Sequence, residues 1–206
     1  LEHDITLKEN GFIADIEVVT PDVIVTDPDD LVDAISSHSK IGISNEATLR
    51  KLAELVNNGT NCSGKTIILT EDIDLENREW TAIGKNGSVF KGTFNGNGHK
   101  ISHLKIDKQT VEAQGFFGGV GQSEIKNLSI VDCNIKGAGY TGGLCGFANA
   151  SNISNCYVTG NINGNSDCTG GLVGYTVVSG TITNCYTKTN VTGASQTGGL
   201  VGTSNG

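Results

Sequence analysis

The chain of 206 residues sets 14 Lys and Arg against 22 Asp and Glu, for a net charge of −8, and it has no basic cluster. That excludes the concentrated positive face needed to hold a phosphate backbone, so no nucleic-acid partner is expected. No apolar run approaches the ~20 residues of a membrane span, and no basic stretch followed by an apolar one opens the chain, so no membrane insertion by this segment is expected.

Residues 1–45 show no repeat and read as a lead-in, or as the tail of a preceding domain. Within them Ile16–Thr20 and Val23–Thr26 have strand composition, and Asp27-Pro28 is suited to cap a short helix through Ala34-Ile35. A second helix is predicted over 46–57, where Leu49, Leu52, Leu55 and Val56 fall at helical spacing before an Asn57-Asn58-Gly59 stop. Such a helix suits the role of an N-terminal cap, because an open β-stack presents unpaired N–H and C=O groups that recruit other strands.

Strand-like runs begin at Lys65: Thr66–Thr70, Ile73–Leu75, Trp80–Gly84, Phe90–Phe94 and Lys100–Ile106. From about residue 115 the chain becomes periodic. Thr141-Gly-Gly-Leu-Cys-Gly146 returns as Thr169-Gly-Gly-Leu-Val-Gly174 and Thr197-Gly-Gly-Leu-Val-Gly202, each 28 residues after the last. Two further landmarks keep phase with it. Ile125-x-Asn127-Leu128 recurs as Ile153-x-Asn155-Cys156 and Ile182-x-Asn184-Cys185, and Asn134-Ile-x-Gly137 as Asn161-Ile-x-Gly164 and Asn190-Val-x-Gly193. Short β-branched runs between Gly, Asn and Ser, without helical spacing, predict an all-β fold, a parallel β-helix of about five coils from Lys65 onward.

Within that fold the paired glycines, such as Gly142-Gly143, are expected to turn with positive φ while successive backbones pack closely. Ile101-Ser-His103-Leu104 matches the Ile-x-Asn motif, so His103, Asn127, Asn155 and Asn184 are expected to stack as a structural polar ladder. The cysteines Cys62, Cys133, Cys145, Cys156, Cys168 and Cys185 fall largely in slots that hold Leu or Val in other coils and read as small apolar core residues. Cys156 and Cys185 form the pair that stacking brings within disulfide range, although in-register side chains point the same way.

The spacing of the glycine core and the Ile-x-Asn-Cys segment resembles the GLUG repeat of bacterial surface proteins, including adhesins and regions of immunoglobulin A-specific metallopeptidases. Leu69–Leu75, Trp80–Gly84 and Gly92–Ile101 resemble the lead-in that precedes such repeats, and the resemblance covers residues 46–206. It implies a right-handed parallel β-helix and a secreted, cell-surface setting in a bacterium, and it brings no catalytic residues. The chain contains no Met and stops at Gly206 before another Ile-x-Asn segment, so it is expected to be an excerpt of a longer, processed protein, whose open C-terminal coil is suited to end-to-end self-association.

Chemistry-bearing residues are sparse. Between Gly115 and Gly206 the acids are Glu124, Asp132 and Asp167, with no Arg or His, so a catalytic groove on these coils is not expected and the segment is read as non-enzymatic. The acidic run Glu71–Glu79 is the place for a metal, with Asp72 and Asp74 on one strand face able to share a hydrated Ca²⁺; no other cofactor is expected. Phe147 and Tyr175 follow the glycine closing each repeat core, and Tyr157 and Tyr186 follow the ladder cysteine, so each pair should stack across coils and offer a surface to a sugar ring or a protein. The leading expectation is a surface adhesion or binding module for a glycan or protein. A structural stalk is the second reading, and a carbohydrate-active enzyme or peptidase passenger segment the third.

Overall fold

A computed structural model of the chain describes residues 16–85 and 87–205. The strands wind into a parallel β-solenoid of about six turns. One face is a sheet in which Val23–Val25, Lys40–Ile43, Thr66–Leu69, Thr93–Asn95, Glu124–Lys126, Asn152–Ser154 and Thr181–Thr183 pair in chain order, all parallel. A second sheet runs from Ile73–Asp74 through Lys100–Ser102, Ser129–Gly137 and Tyr157–Gly164 to Tyr186–Thr192. Thr141–Gly142, Asp167–Gly170 and Ser195–Gly198 form a third. The fourth contains Phe117–Gly121, Cys145–Asn149, Val173–Val177 and Val201–Asn205. The 28-residue period maps directly onto the register, with Thr141 opposite Thr169 opposite Thr197.

The first sheet begins at Val23, ahead of the boundary expected at residue 46, so residues 23–45 belong to the solenoid; residues 1–15 of the expected lead-in lie outside the described residues. Asp27 caps a 3₁₀ turn over Pro28–Asp30, and the helix Leu31–Ser37 follows. The helix Glu46–Asn57 forms as the pattern predicts, with the Asn45 side chain accepting the Thr48 N–H and Leu49, Leu52 and Val56 buried. It lies between the second and third strands of the first sheet and not ahead of all strands. Its side chains reach the early coil: Arg50 Nη1 donates to the Glu79 carbonyl at 2.9 Å and Asn57 Nδ2 to the Ala82 carbonyl at 3.0 Å.

Inside, the early coils are filled by rings and the regular ones by aliphatics. Trp80 stacks on Phe116 at 5.5 Å and donates its indole N–H to the Phe116 carbonyl, while Phe90, Phe94 and Phe117 pack edge-on or tilted beside them. Later coils place Leu128, Ile130, Ile135, Leu144, Ile153, Val158, Ile162 and Leu172 inward, each fully or almost fully buried and each worth about 1.5–3 kcal/mol of transfer free energy. Cys133, Cys145 and Cys156 are part of this core, and burial pushes the Cys133 and Cys145 thiols up to about 12. All the cysteines are free.

The paired glycines do not take the left-handed backbone expected of them. Their reason is proximity. A Cβ on Gly143 would stand 2.4 Å from Val158 Cγ1 and 2.7 Å from the Gly171 carbonyl oxygen of the next coil, and one on Gly171 would stand 2.0 Å from the Gly199 oxygen. The left-handed positions are held instead by other residues, among them Asn127 at φ 54° and Asn155 at φ 51°.

Those amides form the expected ladder with a changed membership. Asn127 Nδ2 donates to Asn95 Oδ1 and Asn155 Nδ2 to Asn127 Oδ1, both at 3.0 Å. Asn184 shares the turn, at φ 51°, but among the described residues no group donates to Asn155 Oδ1. His103 is not on the ladder: its strand Lys100–Ser102 pairs with Ser129–Gly137 in the second sheet, whereas Asn127 follows a strand of the first, so the motif match joined two different corners. Asn95, fully buried, takes that rung. Replacing Asn127 by Ala should remove both bonds and put a Cβ without amide compensation in the left-handed region, lowering the free energy of unfolding by about 2–4 kcal/mol in urea titration. Asn127→Gly should recover the backbone part of that loss.

Candidate functional site

The residues expected to bind a partner separate into two groups. Tyr157 and Tyr186 lie opposite each other on the second sheet with rings parallel to within 10° and centroids 5.0 Å apart. Phe147 and Tyr175 lie opposite each other on the fourth sheet, 6.0 Å apart, and are joined there by a residue the repeat pattern does not point to. Tyr140 stacks on Tyr175 at 5.1 Å and stands 6.4 Å from Phe147, so three half-buried rings cluster on one side of the solenoid.

Tyr140 reaches this place through a feature of the coil corner. It precedes the Thr-Gly-Gly of its coil, in a column with Ala113, Cys168 and Gln196, and all four have left-handed φ, from 49° to 61°. The kink turns the chain into the third sheet and leaves the residue at the corner beside the outer face of the fourth. The repeat pattern does not single out Tyr140, because its counterparts Cys168 and Gln196 are not aromatic; its signal in the sequence is the fixed position one residue before each Thr-Gly-Gly.

Clefts open on both sides of the Tyr140 ring. The upper one, about 150 Å³, is lined by Lys85, Val89, Ala113 and Gly119 with Tyr140 and Phe147. The lower one, about 240 Å³, is lined by Asp167, Tyr175, Gln196 and Asn205 with Tyr140. Glu112 borders both. Asn205 Nδ2 donates to Tyr175 Oη at 2.9 Å, which fixes that ring, and the Tyr140 N–H donates to the Asp167 carbonyl at 3.0 Å, which ties the corner to the next coil. The Tyr140 hydroxyl is pushed above its ordinary value of 10 by burial first, then by the negative charge of Glu112 and, more weakly, of Asp167.

The acidic run near the N-terminal end is parcelled into separate pairs. Asp72 faces His99 at 3.3 Å and Lys100 at 3.6 Å, whereas Asp74 faces His103 at 2.8 Å. Asp74 also accepts the Glu76 N–H at 2.8 Å, and that bond, ahead of the one to His103, lowers its carboxyl below 3.8. Glu79 accepts the Asp107 N–H, and Arg78 pairs with Glu76 and Glu46. Asp72 and Asp74 therefore turn to different partners, and no set of three His, Cys, Asp or Glu side chains suited to a metal forms among the described residues.

Residues 137–163 match the model of the GLUG motif. That coil of the solenoid is a GLUG repeat. Over 142 residues the chain is 34% identical to halomucin of Haloquadratum walsbyi, an alignment spanning 63% of this chain and 2% of that protein. It is 35% identical over 65 residues to a "putative Gly-rich membrane protein" of Evansella cellulosilytica, covering 31% of this chain and 8% of the relative. A crystal structure described as a "putative immunoglobulin A1 protease" from Bacteroides ovatus shares the fold with a TM-score of 0.57 at 18% identity, over 82% of this chain and 62% of that one. The chain thus spans a small part of the relatives it matches in sequence. The GLUG match encloses Tyr140, Phe147 and Tyr157, while Tyr175 and Tyr186 stand in the following coil.

The charge around Tyr140 is open to direct measurement. In a pH titration followed by phenolate absorbance, Glu112→Gln should bring one tyrosine down toward 10, because the lost carboxylate no longer opposes the phenolate. Tyr140→Asn, which keeps a residue tolerant of the left-handed backbone, should remove that same component. An unchanged titration in Glu112→Gln would mean that the carboxylate does not face the ring.

Proposed function

We propose that this chain is a non-enzymatic recognition segment of an exported surface protein, a right-handed β-helix that binds a glycan or protein partner at the Tyr140 cleft. The observation that carries the reading is the cluster of Tyr140, Phe147 and Tyr175 between two clefts on the side of a rigid stack. Rings with an apolar face and a polar tip are the side chains most used for recognition, and a solenoid offers them along an extended surface.

Similarity to halomucin and to a membrane protein supports a cell-surface or extracellular setting. The helix Glu46–Asn57 is assigned as the cap of the early coil, with Arg50 and Asn57 satisfying the Glu79 and Ala82 carbonyls and the Arg50 guanidinium 5.3 Å from the Trp80 ring. Among the described residues neither His nor Arg lines the cleft, and Glu112 and Asp167 are the groups that a catalytic reading would have to use.

Probing arrays of glycans and of matrix proteins with the purified chain tests this directly. Saturable binding is expected, weakened at least about tenfold by Tyr140→Asn or Tyr175→Ala and unaffected by Tyr157→Ala on the other face. Binding that Tyr140→Asn leaves intact would place recognition elsewhere. A blank array would favour a stalk, and turnover of an arrayed glycan would favour an enzyme.

A further inference from the structure

The two clefts differ in charge, and the difference points to what the lower one takes. Glu112 and Asp167 flank Tyr140 there, and neither makes an ion pair among the described residues; the Asp167 carboxylate accepts only the Ser195 hydroxyl. Among the described residues no Lys, Arg or His lines this cleft, whereas Lys85 stands in the upper one beside Glu112. The remaining wall is Tyr140 and Tyr175, stacked at 24° to each other, with the side-chain amides of Gln196 and Asn205. Two carboxylates without an ion pair, beside aromatic rings in a chain of net charge −8, form a surface that repels anions and attracts cations.

We propose that the lower cleft binds a cationic side chain, the ammonium or guanidinium group of a basic protein segment. Glu112 and Asp167 provide the charge, and Tyr140 and Tyr175 provide ring surface against which the cation and its alkyl stem lie. A basic segment is the favoured occupant over a neutral sugar because a sugar would make no use of the carboxylate pair's net charge. Lys85 marks the upper end, so a bound segment carries its positive residue at the Asp167 end and an apolar residue against Val89 and Phe147. This inference rests on the cleft being the recognition site and specifies the chemistry of its ligand.

The test is calorimetric titration of the whole chain with tetralysine, with tetraglycine and a neutral cellotetraose as comparison probes, at low and at physiological salt. Tetralysine is expected to bind at one site, more weakly as salt rises. Glu112→Gln/Asp167→Asn, isosteric and at exposed positions, should weaken it about tenfold or more. The charge-matched pair Asp29→Asn/Asp33→Asn, on the N-terminal helical segment, should leave it unchanged. Equal loss in both pairs would show attraction to overall charge, and no tetralysine binding would show no cation site; either result overturns the inference. Cellotetraose binding lost in Tyr140→Asn but kept in Glu112→Gln/Asp167→Asn would also overturn it while leaving the recognition reading standing.

Discussion

Stacking of parallel coils in strict register is the interaction on which everything else in this molecule depends. No coil buries enough apolar surface to hold itself together, so each relies on the hydrogen bonds and the shared core that it makes with the next. The Phe117 N–H donates to the Leu144 carbonyl and the Leu144 N–H to the Leu172 carbonyl, and the Leu172 N–H continues to Leu200. Coils this close leave no room at certain points, and there the sequence is glycine: Gly143 and Gly171 sit where any side chain would strike the backbone of the following coil. Register then multiplies small features. One amide in a turn becomes the Asn95–Asn127–Asn155 column, and one ring on an outward position becomes an aromatic row.

The site is a product of the same rule with one exception built in. Phe147 and Tyr175 are brought together because they are register partners, 28 residues apart. Tyr140 joins them from a corner whose left-handed backbone is common to four coils but whose side chain differs in each. An unbroken column offers the same chemistry at every level. Here Ala113, Tyr140, Cys168 and Gln196 vary the wall of the cleft from coil to coil, and Glu112 and Asp167 charge part of it.

Much of the fold is legible in the sequence because periodicity and register are the same fact seen twice. The repeats give the sheets of the regular coils, and the helix Glu46–Asn57 can be read from its apolar spacing and its Asn45 cap. The early strands are harder to read. Val23–Val25 pairs with Lys40–Ile43, and Lys40–Ile43 with Thr66–Leu69, across helical insertions of unequal length, so no fixed period reveals them as coils. The His103 rung fails for a related reason. Ile-x-His-Leu has the letters of the corner motif, but its strand pairs in the second sheet, where His103 stands level with Asp132 of the next coil, and only pairing distinguishes the two corners. At the site, the register pairs are foreseeable, whereas Tyr140, Glu112 and Asp167 are not, because they converge by position on the corner and not by repetition.

Residue-resolved amide hydrogen exchange on the intact chain tests the stacking account most directly. It predicts slow exchange for the Phe117, Leu144 and Leu172 amides, each donated to the next coil, with protection that spans coils as a shared opening. Fast exchange at these amides, or protection that respects single coils without coupling to their neighbours, would contradict it.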